Sequence, residues 1–193
     1  ELKLMQRAAD ISIEAHRAAM RAARPGIHEY ELQAEIERVF RRHDAEPAYG
    51  SIVGAGDNAC VLHYRANNAQ AKDGALVLVD AGAEYRGYAA DITRTFPVNG
   101  RFGREQRALH DLVGAAQRAA LAQARPGVPY DAGHHAAVET LTEGLLKLGL
   151  LKGTLEKNIA EETYKRFYRH KTGHWLGLDV HDVGEYRFDG DSR

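Results

Sequence analysis

The chain has 193 residues, 44% of them hydrophobic and 27% charged, with a net charge of −1 at pH 7. That is enough for one compact domain or for two small halves with a shared core. It lacks the basic block that phosphate neutralisation would need, so nucleic-acid partners are not expected. No stretch approaches the ~20 apolar residues of a membrane span, and the N-terminal residues mix charges unlike a secretory signal. Cys60 is the only cysteine, so no internal disulfide can form and a reducing, cytoplasmic compartment is expected.

Residues 1–23 are alanine-rich, with Leu4, Ala8, Ile11, Ala15, Ala18 and Ala22 at helical spacing, which predicts a helix with a narrow, closely packing face. Arg24, Pro25 and Gly26 stop it. A second helix is predicted over 30–42, where Leu32, Ile36 and Phe40 recur, and 44–49 reads as a loop. Residues 51–54 and 60–64 look like short strands around the loop AGDNA, with Cys60 a half-buried strand residue. An apolar strand over 75–81 and a partner over 88–98 form an antiparallel hairpin through the turn 82–87. Further helices are predicted over 104–124, stopped by Arg125-Pro126-Gly127, and over 131–148. Residues 175–180 return to strand-like sequence.

RAAMRAARPG (17–26) and RAALAQARPG (118–127) agree at seven of ten positions, and each ends one helix and precedes another. Alanine-rich helices inflate such matches. Taken at face value, the echo divides the chain into two related halves of a pseudo-twofold α+β fold, with an antiparallel sheet in the middle and helices on one face.

Asp80 and Asp91 interrupt the hairpin where hydrocarbon is expected. An ionised carboxylate in such a place is costly unless paired, hydrogen-bonded or metal-bound. Asp91, Thr93 and Thr95 would share one strand face, so both acids could enter one cavity with Thr93 beside them. Two close carboxylates repel unless one is protonated or a cation lies between them, and a divalent metal is the better neutraliser. The structural alternative has Asp80 capping the turn and Asp91 paired with Arg86 or Arg94. Spacing alone leaves the two readings level.

The histidines tilt that balance. His16, His28, His43, His110, His134 and His135 lie among charged neighbours and read as surface residues. His170, His174 and His181 fall within RHKTGHWLGLDVHDVG, a glycine-rich strand-and-loop segment, and His63 closes VLHY. His170 and His174 are four apart, but Lys171 replaces the glutamate of HExxH. Mixed carboxylate and imidazole ligands suit Mn, Zn, Co or Fe.

DAGAEYRGYAADITRTFPV and HWLGLDVHDVG strongly resemble the creatinase/aminopeptidase family of pita-bread fold, and SIVGAGDNACVLHY and LLKLGLLKG fit its Xaa-Pro aminopeptidase branch. The resemblance covers the whole chain. It implies that Asp80 is a bidentate carboxylate on one of two metals, that Asp91 bridges both, and that His174 is the single histidine ligand. His63, His170 and His181 would contact substrate and stabilise the tetrahedral intermediate. The implied cofactors are two divalent ions, Mn2+ first and Zn2+ or Co2+ as alternatives. The implied reaction is attack by a metal-bridging hydroxide on the bond before a proline in second position.

The family pattern also has two glutamate ligands, one of them the expected general base, and an N-terminal domain. None is found in 1–193, and Glu185 lies too close to His181 to substitute. Lys171 stands where a glycine is common. With no initiator methionine and an abrupt end at FDGDSR, the chain is expected to be an incomplete catalytic domain, inactive alone, from a protein that forms a homo-oligomer. The competing readings are a prolidase, a creatinase (disfavoured by the paired acids), and a metal-free peptide- or protein-binding module of the same fold.

Overall fold

The computed structural model describes residues 1–188 and 191–192. The chain forms two compact units, Glu1–Gly103 with Trp175–Val183, and Arg104–His174 with Gly184–Arg193.

In the first unit, α1 (Leu2–Ala22) and α2 (Glu29–Arg42) carry the predicted apolar stripes. The alanines of α1 let the helices approach closely, and Ala8, Ile11, Ala15 and Ala19 have no exposed surface. Glu31, in the first turn of α2, accepts from the His28 N–H at 2.8 Å and caps that helix. Two three-stranded sheets follow. In the first, β2 (Ile52–Ala55), β3 (Leu76–Asp80) and β6 (Thr93–Pro97) pair antiparallel in the order β2-β3-β6. Val77 and Val79 point into the helix-covered core with Leu32, Ile36 and Phe40, while Leu76, Leu78 and Asp80 take the other face. In the second sheet, β4 (Ala83–Tyr85) lies between β1 (Glu46–Pro47) and β5 (Tyr88–Ala89).

The predicted hairpin is therefore divided between two sheets. Its arms keep one register across the junction, with Asp80 opposite Thr93 and Glu84 opposite Ala89. Backbone bonds from the Ala81 N–H to Ile92 and from the Ala90 N–H to Ala83 span it, while Gly82 passes close against Ala90. Only glycine permits this, because a Cβ on Gly82 would fall 1.6 Å from the Ala90 carbonyl oxygen. Helix α1 pins this junction with two polar side chains one turn apart. The Ser12 hydroxyl accepts from the Ala83 N–H at 2.9 Å, and His16 Nε2 lies 3.0 Å from the Ala81 carbonyl oxygen.

Three strand expectations are corrected. Residues 88–98 form two strands rather than one, so Asp91 sits in the break and not on a strand face. Residues 60–64 are not a strand: a 3-10 turn at Gly56–Cys60 folds back over Gly54, and Cys60 is exposed. Hydrogen bonds from Asn58 and Tyr64 to Glu29 draw this segment toward α2 instead of along a sheet edge. Residues 175–180 form bends, because the chain bonds to itself there, from the Gly177 N–H to Asp179 and from the Asp182 N–H to Trp175.

The second unit holds α3 (Arg104–Leu121) and α4 (Ala132–Lys147) as a pair, then α5 (Leu155–Ala160), a 3-10 turn at Thr163–Arg166, and the short pair β7 (Arg187–Phe188) and β8 (Asp191–Ser192). Leu145, Leu151 and Tyr164 form its small core with Val138. The helix α5 was not anticipated. Thr154 starts it by accepting from the Lys157 N–H at 3.3 Å.

Gly82→Ala is expected to destabilise the first unit by about 3 kcal/mol or more, since the clash is with backbone rather than with a side chain that can move. Urea unfolding of the variant against wild type measures it, and a midpoint equal to wild type contradicts the close approach of Gly82 to Ala90.

Candidate metal centre

The two acids meet at a residue that the sequence did not advertise. Tyr49, in the loop before β2, places its hydroxyl 2.5 Å from Asp80 Oδ1 and 3.0 Å from Asp91 Oδ1. The carboxylate oxygens are thus no further apart than the sum of those two contacts. A phenol has one hydrogen, so it satisfies one acid at a time. Two carboxylates this close also repel each other, which favours further donors, an added proton or a cation beside them. The half-buried Asp80 carboxyl is pushed above the ordinary range, first by burial and further by the charge of Asp91, while hydrogen bonds from Tyr49 and Thr93 oppose the rise. Burial and the two acids push the Tyr49 phenol above its usual range, so it remains a donor.

The register explains Thr93: it stands directly opposite Asp80 on β6, as expected for a neighbouring hydroxyl. The two arginines weighed as partners of Asp91 each make another contact. Arg86 lies over the Tyr85 ring at 5.4 Å, and Arg94 donates to the Thr93 carbonyl at 2.8 Å. The donor set and its charge fit a divalent cation. Among the described residues, however, no group of three or more His, Cys, Asp or Glu side chains assembles into a metal site.

The expected histidines are distributed between the units. His63 is exposed on the loop after the 3-10 turn, with φ of 53°, and His181 is exposed in the same unit. His170 is exposed and His174 half-buried in the second unit. The residues between them, Lys171 to Gly173, line a cavity of about 800 Å³ together with Ala116, Leu121, Tyr130 and Tyr168. At its wall, Thr172 Oγ1 lies 2.9 Å from His134 Nδ1 and 2.7 Å from the Tyr168 hydroxyl.

His16 overturns its surface assignment. It is 3% exposed, and its Nδ1 is buried without a hydrogen-bond partner. Burial pushes its pKa down, and its bond to Ala81 opposes that only in part. Its position beside Ala15, one turn after Ser12 on a buried stripe, was the available signal. Tyr49 left no such signal, because its partners lie far along the chain.

Metallopeptidase family M24 matches residues 3–193. The chain belongs to this family. The Xaa-Pro aminopeptidase of Escherichia coli strain K12 is 47% identical to it over 190 residues, covering 98% of this chain and 43% of that protein. Aminopeptidase PepP of Pseudomonas aeruginosa has a TM-score of 0.99 at 55% identity, covering 100% of this chain and 44% of that one. A zinc-substituted E. coli aminopeptidase P in complex with product has a TM-score of 0.96 at 47% identity, again with 100% and 44% coverage. The chain therefore spans less than half the length of these relatives, and its α+β architecture is the pita-bread arrangement expected from its motifs.

The depressed His16 pKa makes a prediction for this M24 chain. Its unfolded form binds a proton near the ordinary histidine value of 6.5 that the native form does not. Stability should therefore fall as pH drops through that value, by up to roughly 1.4 kcal/mol per pH unit. Asp80, pushed upward, acts in the opposite sense at lower pH, so comparison with His16→Gln isolates the histidine. Urea midpoints from about pH 7.5 to about pH 5.5 should decline more steeply in wild type than in the variant. Equal slopes refute the assignment.

Proposed function

We propose that the full-length protein is a dinuclear metal-dependent aminopeptidase that releases an N-terminal residue preceding proline. The observation that carries this reading is the convergence of Asp80 and Asp91 on the Tyr49 hydroxyl, within a chain whose relatives are named Xaa-Pro aminopeptidases. Asp80, Asp91 and His174 would hold the ions, with Asp91 shared between them. Carboxylate-rich ligation favours Mn2+, and Zn2+ or Co2+ would also be accepted. Bound there, such ions supply Lewis acidity.

The chain's own groups do the rest. Tyr49 donates to whichever acid the cation leaves less compensated and orients both. His63, His170 and His181 hydrogen-bond the substrate and the oxyanion as it develops. A proline imide has no N–H and a fixed φ, so the peptide offers a rigid ring in place of a backbone donor. The exposed Cys60 fits a reducing, cytoplasmic setting. No helix among the described residues is long and apolar enough to cross a membrane. A homo-oligomer is part of the same proposal.

In the full-length protein, Asp80→Asn, Asp91→Asn and His174→Ala should each lose metal and lower kcat/KM toward a Xaa-Pro-Xaa tripeptide by about 100-fold or more. Metal analysis and initial rates measure this, and a variant retaining full metal and rate removes that residue from the site. Turnover of Xaa-Pro dipeptides but not tripeptides would replace the aminopeptidase with a prolidase. Absence of bound transition metal in the intact protein would favour a binding module. Tyr49→Phe should weaken metal affinity by about 10- to 100-fold with a near-normal unfolding midpoint. Titration of Mn2+ against the metal-free protein tests it, and unchanged affinity contradicts the orienting role.

A further inference from the structure

Glu29, the first residue of α2, has no exposed surface and no part in the mechanism above. A buried carboxylate is expensive unless donors surround it. Its two oxygens divide four donors. Oε1 accepts from the Ala55 N–H at 2.7 Å and the Asn58 side-chain amide at 3.0 Å. Oε2 accepts from the Ala69 N–H at 2.9 Å and the Tyr64 hydroxyl at 2.8 Å. Residues 55 and 69, the two ends of one loop, are thus fastened to a single side chain.

The loop between them carries His63. Two successive turns shape it, the second containing that residue: the Val61 N–H donates to the Asn58 carbonyl at 3.1 Å, and the Tyr64 N–H donates to the Val61 carbonyl at 3.2 Å. Asn58 and Tyr64 close those turns with their backbones and bond Glu29 with their side chains. The Asn58 amide also donates to the Tyr64 hydroxyl at 3.0 Å. His63 is exposed at φ of 53°, a left-handed conformation that costs a non-glycine residue about 1 kcal/mol or more unless its surroundings enforce it. Val61 and Leu62 beside it are 54% and 63% exposed, so no apolar packing anchors this tip. Polar bonds hold the loop: the four donors to Glu29, and near its far end Asn67, which accepts from the Val53 N–H and donates to Gln33 and to the Ser51 carbonyl. Of these, only the Glu29 bonds reach Asn58 and Tyr64, the residues on either side of the tip.

We propose that Glu29 is a positioning residue for His63: its carboxylate clasps the loop 55–69 and fixes where the imidazole is presented to the peptide substrate. The inference rests on the reading of His63 as a substrate-contacting residue. Loop order is its structural content, and catalysis is its functional consequence.

The test uses the full-length protein with Mn2+ and a Xaa-Pro-Xaa tripeptide, and compares Glu29→Gln, His63→Ala and the double variant. Glutamine keeps the volume but sets an amide donor against two other donors. In Glu29→Gln, kcat/KM should fall by about 10- to 100-fold at unchanged metal content. The double variant should be no worse than His63→Ala. Amide exchange should speed up across 55–69 while β3 keeps its protection. Wild-type kcat/KM in Glu29→Gln, or multiplicative losses in the double variant, overturns the positioning role. If His63→Ala retains wild-type turnover, the reading of His63 fails and the positioning role falls with it. The clasp is then decided by exchange alone, and unchanged protection at 55–69 overturns it. Should Glu29→Gln not fold, Tyr64→Phe removes one donor and should lower kcat/KM by roughly 3- to 10-fold, with no further loss in the His63→Ala background. No loss in Tyr64→Phe overturns the proposal.

Discussion

Two carboxylates share one phenolic hydrogen, and much of the first unit serves to bring them there. Asp80 comes from the end of β3 and Asp91 from the break between β5 and β6. Both acids reach the Tyr49 hydroxyl from the junction between the two sheets. At that junction Gly82 passes close against Ala90, and α1 takes up backbone groups on either side of it through Ser12 and His16. The cost of holding two acids together is electrostatic. What resists it is steric and local: a glycine, a serine, a buried neutral histidine and an alanine ridge that lets the helix come close.

This explains which parts of the chain were legible. The helices read clearly, because apolar residues recur at the helical period and Arg-Pro-Gly stops α1 and ends the run after α3. The strand ending in Asp80 read clearly for the same kind of reason, and the expected nearness of Thr93 is met by its place opposite Asp80. The acids stood out because they were misplaced in an apolar setting. What could not be read were features made by distant partners. Cys60 and His63 occupy a segment with strand-like composition, yet the carboxylate of Glu29 gathers that segment into turns. His16 was hidden by charged sequence neighbours, whereas its spatial neighbours are backbone carbonyls. Residues 175–180 are apolar enough for a strand, but bonds within the segment bend it.

The proposed site draws on two kinds of order. The acids sit on backbone set by regular pairing and close packing, which a sequence pattern reports. His63 sits on a loop whose shape depends on side chains bonding to one buried acid, which a pattern does not report. Membership in family M24 supplies the chemistry that these residues suit. The structure adds how each is held.

The internal echo has a consequence in volume. When Arg17 is set against Arg118, the first helix pair registers with the second, so that Leu32 matches Gly133, Ile36 matches Ala137 and Phe40 matches Leu141. At each position the later residue is smaller. The first three are fully buried core residues, and their counterparts line the cavity of the second unit. The pins differ as well, with Ser12 matched by Val113 and His16 by Gln117. Strands that fill the first helix pair would leave voids against the second and would find neither hydroxyl nor imidazole to receive them. The two near-repeated helix pairs are thus told apart both by the volume they fill and by the polar groups they offer a sheet.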